Sequence, residues 1–222
     1  VSTLAKLLNP KIKVIAVEPA GAACLKASLE AGEVTTVSKI NTIADGTAVQ
    51  TPGDKLFPYL QANVDHVITV DDSELTLSFL DMAENHKMIV ENSGLLTVAA
   101  LKHLDFKGKK VVSVLSGGNM DVLTMATVVQ NGLMQRDRIF TVSVMLPDKP
   151  GQLAAVSSLI AKEQGNVIKL EHNVFANVNR TAGVELTITL ESFGTEHKDQ
   201  IIKALEAAGY CPVITKTNGI YM

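Results

Sequence analysis

A serine, two glycines and an asparagine stand at 116–119, directly after the apolar run KVVSVL at 110–115. That run has the continuous apolar character of a strand buried on both faces of a parallel sheet. Ligands of open α/β sheets bind at the carboxyl ends of such strands, and glycine lets the backbone approach a ligand closely. The segment therefore predicts a ligand site, with a plain strand-to-helix turn as the alternative. It is not a dinucleotide fingerprint, because no G-x-G-x-x-G follows a strand-like run.

Two glutamates occupy positions where a carboxylate could act on a ligand. Glu18 follows the apolar run at 14–17, where it could bind a cation or an amine; a solvated loop glutamate is the alternative. Glu91 precedes a predicted helix, and a negative charge there also stabilises a helix N-terminus without any ligand. The five histidines show no metal-ligand spacing, which favours ordinary structural positions for them.

A second turn with chemical interest is DKPGQL at 148–153, which runs into a predicted helix. Free backbone amides at a helix N-terminus attract a carboxylate. An ordinary strand-to-helix turn would also favour the Pro-Gly pair, so both interpretations stay open on the residues alone.

Composition narrows the class of protein that carries these segments. The chain has 222 residues, a net charge of −3 and 46% apolar residues, which argues against disorder and against a nucleic-acid coat. No apolar run reaches the roughly 18 residues that a transmembrane helix needs. Its two cysteines, Cys24 and Cys211, fit no zinc or disulfide spacing, so a reduced, cytoplasmic setting is predicted. The chain starts at Val1 rather than Met.

The first part of the chain alternates predicted helices with predicted buried strands, which indicates a parallel sheet with right-handed crossovers. A capping box is expected at Asp71, because Glu74 stands three residues later. The polar, turn-rich segment 35–55 is long enough to be a functional loop. The predicted strands lie at 14–17, 66–70 and 110–115, and the predicted helices include 2–8, 20–29, 94–104 and 122–129, the last ending at Asn131-Gly132.

The pattern changes after 135–137. Apolar residues from Val184 to Leu190 alternate strictly with polar ones, which is typical of a strand with one exposed face. The predicted order is β-α-β-β-α-β, a ferredoxin-like split unit. Its strands are expected at 139–146, 167–174, 184–190 and 212–216, with one helix from 153 to the Gly165-Asn166 pair and another at 196–208. The domain boundary is predicted near residues 134–138.

Five motifs in the first part resemble threonine dehydratase (threonine ammonia-lyase), a fold-type II pyridoxal-phosphate family with serine racemase as a close relative. These motifs are VIAVEPA at 14–20, IADGTAV at 43–49, VITVDDSEL at 67–75, VENSG at 90–94 and VSVLSGGN at 112–119. The second part resembles an ACT domain in D-x-P-G-x-L at 148–153 and in the Gly165-Asn166 pair. The resemblance implies an α/β chain in which an incomplete PLP-dependent catalytic domain (1–134) precedes a ferredoxin-like ACT regulatory domain (138–222).

The resemblance also implies roles for individual residues at the cofactor. Ser116 matches the serine whose hydroxyl meets the pyridine nitrogen of pyridoxal phosphate, and Gly117 belongs to the same motif. A neutral hydroxyl leaves that nitrogen less positive than an aspartate would, which suits elimination over transamination. Gly46 matches the loop that passes the cofactor ring, and Glu91 matches a position beside it.

A cation site of the relatives is matched only in part. Glu18 and the backbone carbonyl of Ala22 match two of its ligands. The third, a carboxylate, falls at Cys24. A thiol is a poor ligand for a hard cation, which argues against a working cation site.

The main departure from the family is the absence of its Schiff-base lysine, which stands in a Ser-Phe-Lys motif. Here SF at 78–79 is followed by Leu80, and SF at 192–193 by Gly194. The glycine-rich phosphate loop that precedes the helix continued by Val1 is also missing. We therefore expect a C-terminal part of a longer enzyme, with no catalytic residue in this chain and no activity by itself.

The resemblance implies that the whole enzyme converts L-threonine to 2-oxobutanoate and ammonia, and L-serine to pyruvate as a side activity. An ACT domain implies regulation by an amino acid; isoleucine, the end product downstream of 2-oxobutanoate, or valine would bind at Gly151, Leu153 and Asn166. A homo-oligomer, a dimer or tetramer assembled through the ACT domain, is expected, without nucleic-acid or membrane partners.

Two alternatives remain open at this point. The chain could be a stand-alone amino-acid-binding or dimerisation module that works only through its ACT domain. It could also belong to another fold-type II enzyme, similar to serine racemase or threonine synthase. The fused ACT domain favours the dehydratase.

Overall fold

Two parallel strands, β1 (Ile15–Pro19) and β2 (His66–Val70), pair in register from Ile15 opposite His66 to Pro19 opposite Val70. The computed structural model describes residues 1–173 and 183–217. It divides into two units, Val1–Val129 and Gln130–Met222. The predicted strands at 14–17 and 66–70 are thereby confirmed, and so is the parallel pairing that their separation by helices implied.

Six α-helices lie in the first part; the one at 57–63 lies outside the predicted helices, and the helix predicted at 94–104 is an α-helix only at 96–99, between two 3-10 turns. They are α1 (Ser2–Leu8), α2 (Cys24–Ala31), α3 (Phe57–Asn63), α4 (Asp72–Asp81), α5 (Leu96–Ala99) and α6 (Val122–Gln135). The capping box of α4 is confirmed, since the Asp71 amide donates to Glu74 Oε2 at 3.0 Å and the Asp71 side chain accepts from the backbone of Glu74. Leu75 and Phe79 of this helix lie in the core with Val70 and Leu95.

The third predicted strand, at 110–115, is wrong. No strand is assigned there, and the Val112 side chain is 87% exposed. The segment is held instead by α5, where Thr97 Oγ1 donates to the Val114 carbonyl at 3.0 Å and Ser113 Oγ donates to the Thr97 carbonyl at 3.3 Å. A buried parallel strand needs neighbours that complete its hydrogen bonds, and in the described residues the sheet of this unit consists of β1 and β2.

The predicted end of a helix at Asn131-Gly132 is also wrong, because α6 continues through both residues. The left-handed residue that ends the helix is Asp137, with φ of 54°. The Arg138 amide then donates to the Leu133 carbonyl at 2.9 Å, which closes the last turn. Aspartate tolerates this conformation better than most side chains, so the glycine was not needed there.

The second unit has the predicted β-α-β-β-α-β order, in a four-stranded antiparallel sheet ordered β4-β5-β3-β6. Its elements are β3 (Ile139–Leu146), α7 (Gln152–Lys162), β4 (Asn166–Asn173), β5 (Val184–Glu191), α8 (Thr195–Ala207) and β6 (Val213–Thr215). This is the ferredoxin-like arrangement. The last residue of the predicted strand at 167–174, Val174, lies outside the described residues.

The core of the second unit lies between one face of this sheet and the two helices. Val142 and Val144 of β3 and Leu186 and Ile188 of β5 have no solvent exposure, and for β5 this is the inward face that the strict alternation predicted. From the helices, Val156, Ile160, Ile201 and Leu205 complete the core. The left-handed residue after α7 is Gln164 and not Gly165. The glycine at 165 instead leaves room for the core, because a Cβ there would lie 2.9 Å from both Ile160 Cγ2 and Ile201 Cδ1.

Asp137 also joins the start of β3 to the start of α8. Its carboxylate accepts from Lys198 Nζ and from Thr195 Oγ1, both at 2.8 Å. Burial by itself would raise the pKa of Asp137, but the bonds from Lys198 and Thr195 outweigh it and hold that pKa below its usual value. The carboxylate therefore stabilises the folded state above the pKa of an unfolded aspartate, and this contribution is lost as the pH falls through the folded pKa.

We expect Asp137→Asn to lower the free energy of unfolding by about 1 kcal/mol near neutral pH, with a smaller difference from wild type in acid. Urea unfolding followed by circular dichroism at a series of pH values measures both effects. Asp199→Asn on the exposed side of α8 is the control. Equal losses in the two variants, or a loss that does not shrink in acid, would contradict the assignment.

No helix in the part of the chain that the structure describes is both long enough and apolar enough to cross a membrane.

Candidate functional site

A buried turn directly follows Glu91 in the first unit. A single 3-10 turn, Asn92–Leu95, leads from Glu91 into α5, and its four residues are all buried. The Leu95 amide donates to the Glu91 carbonyl at 3.2 Å. The apolar residues Leu95 and Leu96 anchor the turn in the core, so the half-buried Glu91 side chain starts from a fixed backbone.

The Ser116–Asn119 turn packs directly on this turn. The Glu91 amide donates to the Gly117 carbonyl at 3.4 Å, and Glu91 Oε2 accepts from the Asn119 amide at 3.2 Å. A Cβ at Gly94 would lie 2.0 Å from the Ser116 carbonyl oxygen, a distance that no side chain could occupy. The absence of a side chain at Gly94 therefore lets the two turns meet.

Gly117 makes a second close approach. Its φ is +83°, and a Cβ there would lie 2.1 Å from Glu91 Oε1. Glycine adopts such a φ with little strain, whereas other residues do so at a cost. At this position glycine also leaves room for the Glu91 carboxylate. The Glu91 carboxylate therefore lies where a side chain at Gly117 would otherwise stand.

Gly46 reaches the same place from the long loop predicted at 35–55. A Cβ at Gly46 would lie 3.0 Å from Ser93 Oγ and 3.7 Å from Glu91 Oε1. Gly46, Glu91, Ser116 and Gly117 thus come from three separate segments to one surface of the first unit. Ser116, Gly117 and Gly46 are exposed at that surface.

Three residues at this site were missed by the sequence reasoning. Asn92 Nδ2 donates to the Ile43 carbonyl at 3.0 Å, and Asp72 accepts from the Ile43 amide at 3.1 Å. Ser93 lies against Gly46. For Asn92 and Ser93 the sequence did offer a signal, because these two polar residues stand in VENSG between Val90 and Leu95, which are both buried. Buried polar groups usually have a hydrogen-bond partner.

Asn92 Oδ1 and Ser93 Oγ are buried without a hydrogen-bond partner among the described residues. These buried atoms lie beside an exposed surface formed by the backbone of Gly46 and Gly117 and by the Glu91 carboxylate, since a Cβ at Gly46 would lie 3.0 Å from Ser93 Oγ. Such a surface fits a flat, polar ring like that of pyridoxal phosphate, which backbone without side chains can approach closely.

Glu18 has a different set of contacts. Its two carboxylate oxygens accept from the amides of Leu25 and Lys26, both at 2.8 Å, at the N-terminus of α2. The Cys24 thiol lies 3.8 Å from Glu18 Oε1, and burial, followed by the Glu18 charge, raises the pKa of that thiol. A cation at Glu18 and Ala22 would compete with these amides. Across residues 1–173 and 183–217, no three His, Cys, Asp or Glu side chains gather as a metal site would require.

The predicted effector residues lie around the first helix of the second unit. Gly151, with φ of 89°, is exposed and precedes α7, and a Cβ there would meet nothing within 4 Å. Leu153 is partly buried against the core of this unit. Asn166 Nδ2 donates to Glu191 Oε2 at 3.1 Å between β4 and β5.

The contact between the two turns is tested by a matched pair of glycine substitutions. Gly94→Ala places a methyl group against the Ser116 carbonyl, and we expect it to lower the free energy of unfolding by about 1–3 kcal/mol. Gly53→Ala is the control, because a Cβ at Gly53 meets nothing within 4 Å. Urea unfolding of both variants measures the difference. Equal stability of the two would show that the turns do not touch.

Known proteins match both parts of the chain. Residues 1–117 match the family described as pyridoxal-phosphate dependent enzyme, and residues 140–209 match the ACT domain. An L-threonine ammonia-lyase of Geobacter sulfurreducens is 35% identical over 97% of this chain and 54% of its own length. The chain spans about half the length of the curated relatives it matches.

Solved structures match a smaller share of the chain. The processed form of threonine deaminase isoform 2 from Solanum lycopersicum is 29% identical with a TM-score of 0.54, over 59% of this chain and 39% of that one. Maize serine racemase is 34% identical with a TM-score of 0.52, over 58% of this chain and 42% of that one. With the family match over more than half of its length, the chain belongs to the pyridoxal-phosphate-dependent enzymes of fold type II and carries an ACT domain.

Proposed function

We propose that this chain is part of an L-threonine ammonia-lyase that converts L-threonine to 2-oxobutanoate and ammonia, with L-serine giving pyruvate as a side activity. The observation that carries the proposal is the 35% identity to an L-threonine ammonia-lyase over 97% of the chain, which includes both units. The cluster of Gly46, Glu91, Ser116 and Gly117 supports it, because those residues fit the ring of the family's cofactor.

Within this proposal, the residues of the chain bind and orient the cofactor ring. Pyridoxal phosphate, when bound, withdraws electrons from the α-carbon of an attached amino acid. Gly46 and Gly117 would let the backbone approach the ring without a side chain in between. Ser116 would offer a neutral hydroxyl to the ring nitrogen, which would limit the positive charge there and favour elimination. The Glu91 carboxylate, which accepts from the Asn119 amide, would flank the ring.

The sequence contains no Ser-Phe-Lys motif, which in the family carries the lysine that bonds the cofactor. Of the two Ser-Phe pairs in the sequence, Ser78-Phe79 lies buried in α4 and is followed by Leu80. Turnover in this proposal therefore needs a lysine and a phosphate site that come from outside the 222 residues.

A racemase is the second candidate, since maize serine racemase shares 34% identity with the first part of the chain. That similarity covers 58% of this chain, whereas the ammonia-lyase relatives extend through the ACT domain. The ammonia-lyase is therefore the better supported activity.

The activity is tested on the full-length protein with pyridoxal phosphate. We expect keto acid to form from L-threonine, and more slowly from L-serine, in a dehydrogenase-coupled assay. The 222-residue chain alone is expected to give no product, because it lacks the lysine motif. Chiral analysis of the serine incubated with the enzyme reports racemisation. D-Serine without any keto acid from L-threonine would contradict the ammonia-lyase and favour the racemase.

We further propose that the second unit binds an amino-acid effector and assembles the enzyme as a homodimer or homotetramer. The match to the ACT domain over residues 140–209 supports this role. The exposed turn at Gly151 precedes α7, an 11-residue helix whose N-terminus favours a carboxylate. Isoleucine or valine is the proposed effector. A cytoplasmic setting belongs to the same proposal, in line with the free thiols of Cys24 and Cys211.

Effector binding is tested by calorimetry with isoleucine and valine on the purified oligomer. We expect Asn166→Ala to weaken binding about tenfold, the size of one lost hydrogen bond to a charged group. Asn131→Ala, on the exposed side of α6, is the control and should bind as wild type does. Leu153 is left intact because its packing in the core would confuse the result. No heat from either amino acid with a folded oligomer would contradict the effector role.

A further inference from the structure

The loop that carries Gly46 is held through the backbone of one residue, Ile43. On one side, Asp72 Oδ2 accepts from the Ile43 amide at 3.1 Å, and Asp72 Oδ1 accepts from Thr42 Oγ1 at 2.6 Å. On the other side, Asn92 Nδ2 donates to the Ile43 carbonyl at 3.0 Å. The backbone N–H and C=O of Ile43 are therefore both bound to side chains of other segments.

These two side chains belong to elements that the core holds in place. Asp72 is the first residue of α4, and the capping box at Asp71 fixes the start of that helix. Asn92 is 4% exposed and lies in the turn anchored by Leu95. Ala44, the residue after Ile43, has no solvent exposure. Rigid elements thus grip the loop three residues before Gly46.

We propose that Asn92 is a positioning residue, which holds the Ile43 carbonyl so that the Gly46 loop and the Glu91 carboxylate keep the spacing that the cofactor ring requires. Other side-chain hydrogen bonds do not make up for this one, because Asn92 Oδ1 and Ser93 Oγ are buried without partners among the described residues. Loss of the Asn92 amide leaves the Ile43 carbonyl unpaired as well, so that at Ile43 only Asp72 still holds the loop, which can then shift relative to Glu91.

This inference rests on the proposed cofactor site, but one of its consequences does not depend on cofactor. Hydrogen exchange by mass spectrometry on the 222-residue chain reports the opening of residues 44–48. We expect Asn92→Ala to raise exchange at these amides about tenfold, the loss of about one hydrogen bond, and to leave α8 unchanged. Asn63→Ala is the matched control, since Asn63 Nδ2 makes the same kind of bond to the Tyr59 carbonyl at 2.7 Å.

The second measurement is the affinity of the full-length protein for pyridoxal phosphate, followed by the fluorescence of pyridoxal phosphate. We expect Asn92→Ala to weaken binding about tenfold and Asn63→Ala to leave it unchanged. Asn92→Asp has nearly the same shape but loses the donor at neutral pH. Its protonated form regains an O–H that can donate to Ile43, so its affinity relative to wild type should recover as the pH falls.

The outcomes separate this inference from the proposed function. Wild type that binds no pyridoxal phosphate would contradict the proposed function, while the exchange result would still decide whether Asn92 holds the loop. Wild-type exchange in Asn92→Ala, or unchanged cofactor affinity in that variant and in Asn92→Asp, would overturn the positioning role. If Asn92→Ala does not fold, the pH-dependent recovery of Asn92→Asp decides alone.

Discussion

The candidate site depends on how closely two backbone turns approach each other. The Ser116 carbonyl packs against Gly94 at a distance that leaves no room for a Cβ, and the Glu91 carboxylate lies where a side chain at Gly117 would stand. Non-glycine residues at either position would push the turns apart or displace Glu91. Every other contact of the site, from the Asn119 amide to the Gly46 loop, is arranged around this approach.

Supporting elements convert that approach into a fixed geometry. The capping box at Asp71 fixes the start of α4, and Asp72 then holds the Ile43 amide. Leu95 buries the other end of the site in the core. The site itself is polar and partly exposed, so its rigidity comes from the helix start and the apolar core beside it rather than from its own burial.

The second unit is organised by a different constraint, the two-residue period of its strands. Val142 and Ile188 face the helices, while Thr141 and Thr189 on the other face hydrogen-bond each other at 3.0 Å. This alternation made the strand at 184–190 and its inward face predictable from sequence, whereas Thr189 on the predicted exposed face is only 7% exposed. The capping box was predictable for a similar reason, since its residues are three positions apart and interact locally.

The sequence by itself determined the local elements, the ferredoxin-like order of the second unit and the family motifs, because these follow from patterns within short stretches of chain. It did not determine the conformation of KVVSVL at 110–115, because a buried strand forms only beside neighbouring strands. It also did not determine the end of α6, where Asp137 rather than Gly132 adopts the left-handed conformation. Only the tertiary structure decided that Gly46, Glu91 and Gly117 meet and that Asn92 holds Ile43. These contacts join residues far apart in the chain, and their formation depends on how the whole unit packs.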